Sequence, residues 1–222
     1  MDIFSMIGQL IAFTAAFYVV IVIIRKDLTY IGNKLFVVSF FLFGLYGLVL
    51  FLYEFPISIF INEILIRASL VIVVSGVFFF VLSMQVFAQS KIYLKKPITV
   101  FLSIISVVVC VITFIFPYNV YQLYPTIEAD KSLVSLLATG VWSFALMIYN
   151  SITLFSVIKE FDVSEVKMKT KLNRLLIAQL IGILSPTMSV IGNITGNTII
   201  HAFMFVFLAI PMVLVGLLIR KQ

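Results

Sequence analysis

The sequence predicts an all-α fold: a polytopic membrane helix bundle with seven transmembrane helices, its N-terminus outside and its C-terminus cytoplasmic. Three observations carry that expectation. The 222 residues are 63% hydrophobic and 11% charged, whereas a water-soluble domain is about half apolar and about a quarter charged. The apolar residues gather into seven runs, each able to supply the roughly 20 helical residues that about 30 Å of hydrocarbon requires. The basic residues concentrate at alternate breaks between those runs.

The runs cover residues 3–24, 35–53, 64–88, 98–117, 132–158, 175–194 and 198–219, within one domain over 1–222. Stretches such as Leu70–Val74 and Phe101–Phe116 show no alternation, unlike a barrel strand, which alternates over about 10 positions. In lipid each backbone N–H needs a partner within its own segment, and a helix supplies it. The first run has no positive charge before it, is followed by Arg25 and Lys26, and lacks an A-x-A cleavage pattern. That order suits a retained first helix rather than a secretory signal peptide. The breaks are Arg25–Lys34, Glu54–Glu63, Gln89–Pro97, Pro117–Lys131, Lys159–Arg174 and the short Asn193–Asn197. The last, GNITGN, is so tight that helices six and seven should be antiparallel neighbours.

Orientation follows from lysine and arginine. With the N-terminus outside, thirteen of the fifteen fall on the inner side, and only Arg67 and Lys131 lie outside. Basic residues beside membrane helices stay in the cytoplasm. The net charge of +6 is thereby explained by orientation, with no nucleic acid partner expected. The expected location is the cell membrane, with the lipid bilayer as first partner.

Several chemistries lack their residues. A retinal protein needs a lysine within its seventh helix, and 198–219 has none. The single histidine, His201, rules out a bis-histidine haem within one chain. The single cysteine, Cys110, rules out an internal disulfide and a cysteine metal site. The nine carboxylates all lie in breaks or at helix ends. No enzyme activity, metal or cofactor is expected.

Polar groups within the runs remain: Gln9, Ser75, Gln85, Trp142, Asn150, Gln179, Ser185, Ser189 and His201. Such groups face the bundle interior because lipid leaves them unpaired. Interhelical hydrogen bonding and a functional role are both open for them. Gln9, Ser189 and His201 fall in the outer half and are candidates for an outward cavity. Arg67 stands four residues after Glu63 and can pair with it on one helix face; it either snorkels to the headgroups or binds an anionic ligand. Pro186 and Pro211 remove helix hydrogen bonds and are candidate hinges or static bends. Gly44, Gly47 and Gly76 allow close helix approach. The tyrosines of PYNVYQLYPTIEADK suit an aromatic belt or a ligand surface. Lys159, Lys167, Lys169, Lys171 and Arg174 make the inner loop 159–174 a candidate surface for anionic headgroups or a protein partner.

Helix one ending in Arg25–Lys26, then Asn33–Lys34 and an aromatic second helix (LFVVSFFLFGLYGL), resembles the N-terminal seven-helix sensor region of bacterial and archaeal histidine kinases. The end of the chain is similar as well: Lys171, Asn173 and Arg174 precede LLIAQLIGILSPTMSVIGNITGN, and a last helix with Ile210–Pro211 closes on Ile219–Arg220. In those kinases a cytoplasmic signalling domain follows, and no phosphoacceptor or ATP-binding region appears in this sequence. The resemblance implies a receptor-like sensory module acting through membrane or cytoplasmic protein partners. The alternatives are an accessory subunit of a larger membrane complex, and a small-molecule or lipid transporter. The lack of deep ionisable residues counts against ion-coupled transport.

Overall fold

The computed structural model describes residues 3–116, 119–124, 127–130, 132–161, 166–195 and 197–220, without the side chains of Lys167, Val190, Asn193, Ile194, Thr198 and His201. Seven α-helices run through the described residues: α1 (Ile3–Lys26), α2 (Ile31–Tyr53), α3 (Ile59–Gln89), α4 (Pro97–Ile115), α5 (Leu133–Glu160), α6 (Val166–Thr195) and α7 (Thr198–Arg220). Six of them are long and apolar enough to cross a bilayer, α6 being the exception.

Helix ends have local causes. α3 begins at Ile59 rather than near residue 64. Ser58 caps it by accepting from the Ile61 N–H at 3.2 Å, which satisfies one of the orphan donors of a helix start. Asn62 completes the turn, donating to the Tyr53 and Phe55 carbonyls at 2.8 and 3.0 Å. At the other end of α3, Ser90 takes a left-handed φ of 68° and leads into a 3-10 turn over Lys91–Lys95. Pro97 then opens α4 at its first turn, where its missing N–H costs nothing.

Two expectations are corrected. The inner loop expected over 159–174 is mostly helix: Lys159 lies in the last turn of α5, while Lys169, Lys171 and Arg174 lie on α6. The all-α reading also missed a small two-stranded ribbon between α4 and α5. Its strands, β1 (Asn119–Gln122) and β2 (Glu128–Asp130), are antiparallel.

The helices form a ring in which α1 touches α2 and α7, α2 touches α3, α3 touches α5, α5 touches α6 and α6 touches α7. α4 stands outside the ring, against α3 and α5. Glycines set the closest approaches. A Cβ at Gly47 of α2 would lie 2.9 Å from the Gln9 carbonyl of α1, and one at Gly216 of α7 would lie 2.9 Å from Val19. Gly44 and Gly76 likewise face Phe17 and Phe43 at 2.9 Å, so the expected close packing holds. The main core gathers Phe36, Phe40, Phe80, Met84, Leu154 and Met212. Many other apolar side chains face outward: on α4, Phe101, Ile104, Val107 and Phe114 are all more than half exposed. In water that surface would be prohibitive.

Candidate functional site

Three fully buried amides meet inside the ring. Gln85 of α3 donates to Asn150 Oδ1 of α5 at 2.5 Å, and Asn150 Nδ2 donates to Gln179 Oε1 of α6. Gln179 Nε2 then donates to the Met147 carbonyl at 2.5 Å and to Ser151 Oγ at 2.9 Å. Toward the basic end the chain continues: Gln89 Nε2 donates to Gln85 Oε1 at 2.8 Å, and Lys96 Nζ donates to Gln89 Oε1 at 2.5 Å.

The direction of this chain is fixed by chemistry. An ammonium carries only donors, so Lys96 turns the Gln89 oxygen toward itself and the Gln89 nitrogen toward Gln85. The same choice repeats at each amide until the Met147 carbonyl accepts the last bond. Five consecutive bonds pointing one way polarise one another, and the first is charge-assisted. None of the amides titrates, so the chain cannot conduct protons as a carboxylate relay does. It ties α6 to α5 and α3, and links all three to the lysine before α4. Beside it, the Tyr93 and Tyr149 hydroxyls meet at 3.0 Å, joining the 3-10 turn to α5. Burial and Tyr149 push the Tyr93 phenol above the ordinary tyrosine range.

Two cavities are the best formed among the described residues. One, of about 510 Å³, is an apolar groove between α3 and α4, lined by Val71, Ser75, Phe78, Ser106 and Cys110. The other, of about 330 Å³, opens at the basic end between the α1–α2 turn, α3, α6 and α7. Asp27, Tyr30, Asn33 and Lys171 supply its polar lining, and Phe36, Phe87 and Leu175 its apolar wall. Thr29 donates to Asp27 Oδ1 through its N–H at 2.7 Å and its hydroxyl at 2.6 Å. Those bonds hold the Asp27 carboxyl below the usual carboxylate range. Asn33 Nδ2 donates to the Asp27 carbonyl at 2.9 Å, while its Oδ1 is buried without a partner.

The candidates from the sequence are distributed differently. Gln9 is buried and donates to Ser5 at 3.1 Å, leaving its Oε1 unpartnered. Arg67 pairs with Glu63 at 3.4 Å, and its Nε is buried without a partner. Ser189 is half-buried on α6, and the His201 side chain lies outside the described residues. Neither cavity is lined by Gln9, Arg67 or Ser189. Near them in sequence, Ala12, Ile66, Met188 and Met204 converge in one apolar cluster with Leu50 and Phe205. Pro186 and Pro211 both lie inside their helices. Pro186 leaves the Gly182 carbonyl without its helical donor, and a Cβ at Gly182 would lie 3.5 Å from the Pro211 ring. The two interruptions therefore face each other.

Of the basic candidates, Lys159 sits over the Phe155 ring at 4.4 Å, and Lys169 donates to the Phe161 carbonyl at 3.4 Å. Lys171 lines the second cavity and Arg174 is exposed, while the Lys167 side chain lies outside the described residues. Sequence reasoning marked Gln85, Asn150 and Gln179 as polar groups in apolar runs but did not connect them. No spacing along the chain signals pairs 65 and 29 residues apart.

The apolar helices and their outward-facing apolar side chains define the class as a multi-pass membrane helix bundle. The chain matches no protein-family model, and no curated protein gives a significant match to it.

Proposed function

We propose that this chain is a seven-crossing sensory module of the cell membrane, with its N-terminus outside and its basic end in the cytoplasm, acting through a partner protein. The observation that carries this reading is the continuity of α6. It is a single helix over Val166–Thr195, about 45 Å long at 1.5 Å per residue. That length spans the hydrocarbon with turns to spare at the basic end. Gln179 fastens its middle to α5, while Lys169, Lys171 and Arg174 ride on its first turns. A displacement of α6 at the Gly182–Pro186 interruption would break or remake the amide chain. It would also move a cationic surface roughly 15 Å away, given ten residues of helical rise. Two such arrangements with different ligand affinity are what a sensor requires. The resemblance to the seven-helix sensor region of histidine kinases supports the same reading.

The test is affinity purification from native membranes in mild detergent, followed by mass spectrometry of bound proteins. The reading expects a stoichiometric partner with a cytoplasmic signalling domain, lost when Lys169 and Arg174 are replaced by glutamate. Recovery of integral subunits alone, indifferent to those replacements, would favour an accessory role instead.

A further inference from the structure

The cavity at the basic end is lined by both signs of charge. Asp27 and Lys171 line the same space, yet no ion pair joins them, and among the described residues no ion pair or hydrogen bond occupies the Lys171 ammonium. Opposite charges that share a cavity without meeting leave room for a ligand carrying both signs. A third group sharpens the requirement. Asn33 is 3% exposed, and its Oδ1 has no hydrogen-bond partner. Its Nδ2 is committed to the Asp27 carbonyl, so the free oxygen is fixed as an acceptor awaiting an N–H or O–H. A buried acceptor left empty is costly. The apolar wall of Phe36, Phe87 and Leu175 suits hydrocarbon beside these polar groups.

We propose that this cavity binds the headgroup of an ethanolamine phospholipid. The phosphate sits at Lys171, the primary ammonium donates to Asn33 Oδ1 and faces Asp27, and the acyl chains leave the cavity for the surrounding bilayer. A volume of about 330 Å³ is at the lower end of the range for small-ligand sites, about 300–1,000 Å³, and holds a headgroup without its tails. The chemistry discriminates. A choline headgroup has no N–H for Asn33, and a glycerol headgroup brings no cation to Asp27. The cavity lies between the α1–α2 turn and the ends of α6 and α7, so the bound lipid would brace the α6 turns that carry Lys169 and Arg174. The inference needs only that the basic end lies at a membrane surface. It stands or falls independently of a signalling partner.

The experiment is native mass spectrometry of the full chain exchanged into equimolar ethanolamine, choline and glycerol phospholipids of identical acyl chains. The expected result is about tenfold enrichment of the ethanolamine lipid, the scale of one charge-assisted hydrogen bond. Asp27→Asn should bring retention close to parity and Lys171→Gln should lower retention of all three phospholipids, while Lys171→Arg should keep both preference and retention and shows that position 171 tolerates change. Equal retention of the three lipids by the unaltered chain would overturn the proposal, as would a preference that survives Asp27→Asn or total retention that is unaffected by Lys171→Gln. Soluble phosphoethanolamine at millimolar concentration distinguishes the source. Failure to displace the lipid is expected, and displacement would assign the cavity to the free zwitterion and overturn the lipid assignment.

Discussion

Asn150 is the middle amide of the buried chain, because it both accepts from Gln85 and donates to Gln179. Asn150→Ala would strand two buried amides, at about 1–3 kcal/mol for the unsatisfied groups. The expected outcome is a clearly lowered unfolding midpoint in lipid or detergent. Replacing Gln85, Asn150 and Gln179 together by leucine should cost less than the sum of the single changes, because none of the three amides is then left stranded by loss of another. Strict additivity would contradict the network. Glycines offer a second contrast. Gly47→Ala would push a methyl to 2.9 Å from the Gln9 backbone carbonyl, which cannot yield without moving α1, so a loss of about 1–3 kcal/mol is expected from overpacking. Gly140 has nothing within 4 Å of such a methyl, and Gly140→Ala should leave the stability unchanged or raise it by less than about 1 kcal/mol.

The ribbon and α6 show which elements the sequence revealed and which it hid. The apolar helices were legible because lipid demands long uninterrupted runs. The ribbon was not: strands of four and three residues are too short for a period of two to register. Its anchor also lies far away in the chain. Glu63 Oε1 accepts from the Val120 N–H at 3.2 Å, while its Oε2 holds Arg67. The Glu63–Arg67 spacing was readable, but the use of Glu63 as a latch for β1 was not. Glu63→Ala should therefore speed amide hydrogen exchange at Val120 and its neighbours without disturbing the apolar helices. Unchanged exchange there would show that the strand pairing alone holds the ribbon, which also carries a Tyr121–Glu128 bond at 2.9 Å. The start of α6 was misread for a different reason. Its residues VKMKTKLNR carry charge and amide on several sides, a composition that reads as a solvated loop. Helix continuity there comes from propagation out of the apolar segment. Lys169 also reaches back to the Phe161 carbonyl.

For the molecule as a whole, one physical constraint orders everything: charge stays out of hydrocarbon, and buried amides must pair with one another. The first part of that constraint was visible in the distribution of lysine and arginine. The second became visible only when the ring of helices brought α3, α5 and α6 together. The candidate residues chosen for depth alone, Gln9, Arg67 and Ser189, line neither cavity. The polar groups that line the second cavity, Asp27, Asn33 and Lys171, come from two breaks, the first read as an orientation signal and the second as a candidate surface for headgroups or a protein partner. The proposed seven crossings rest on α6, the helix whose composition is least apolar. Single cysteines at Lys169 and Asn197, in a Cys110→Ser background, test them most directly through labelling of intact cells with a membrane-impermeant maleimide. The account predicts labelling at residue 197 and, until the membrane is permeabilised, none at 169. Equal labelling of both positions in intact cells would contradict a crossing by α6 and with it the transmission of a signal along that helix.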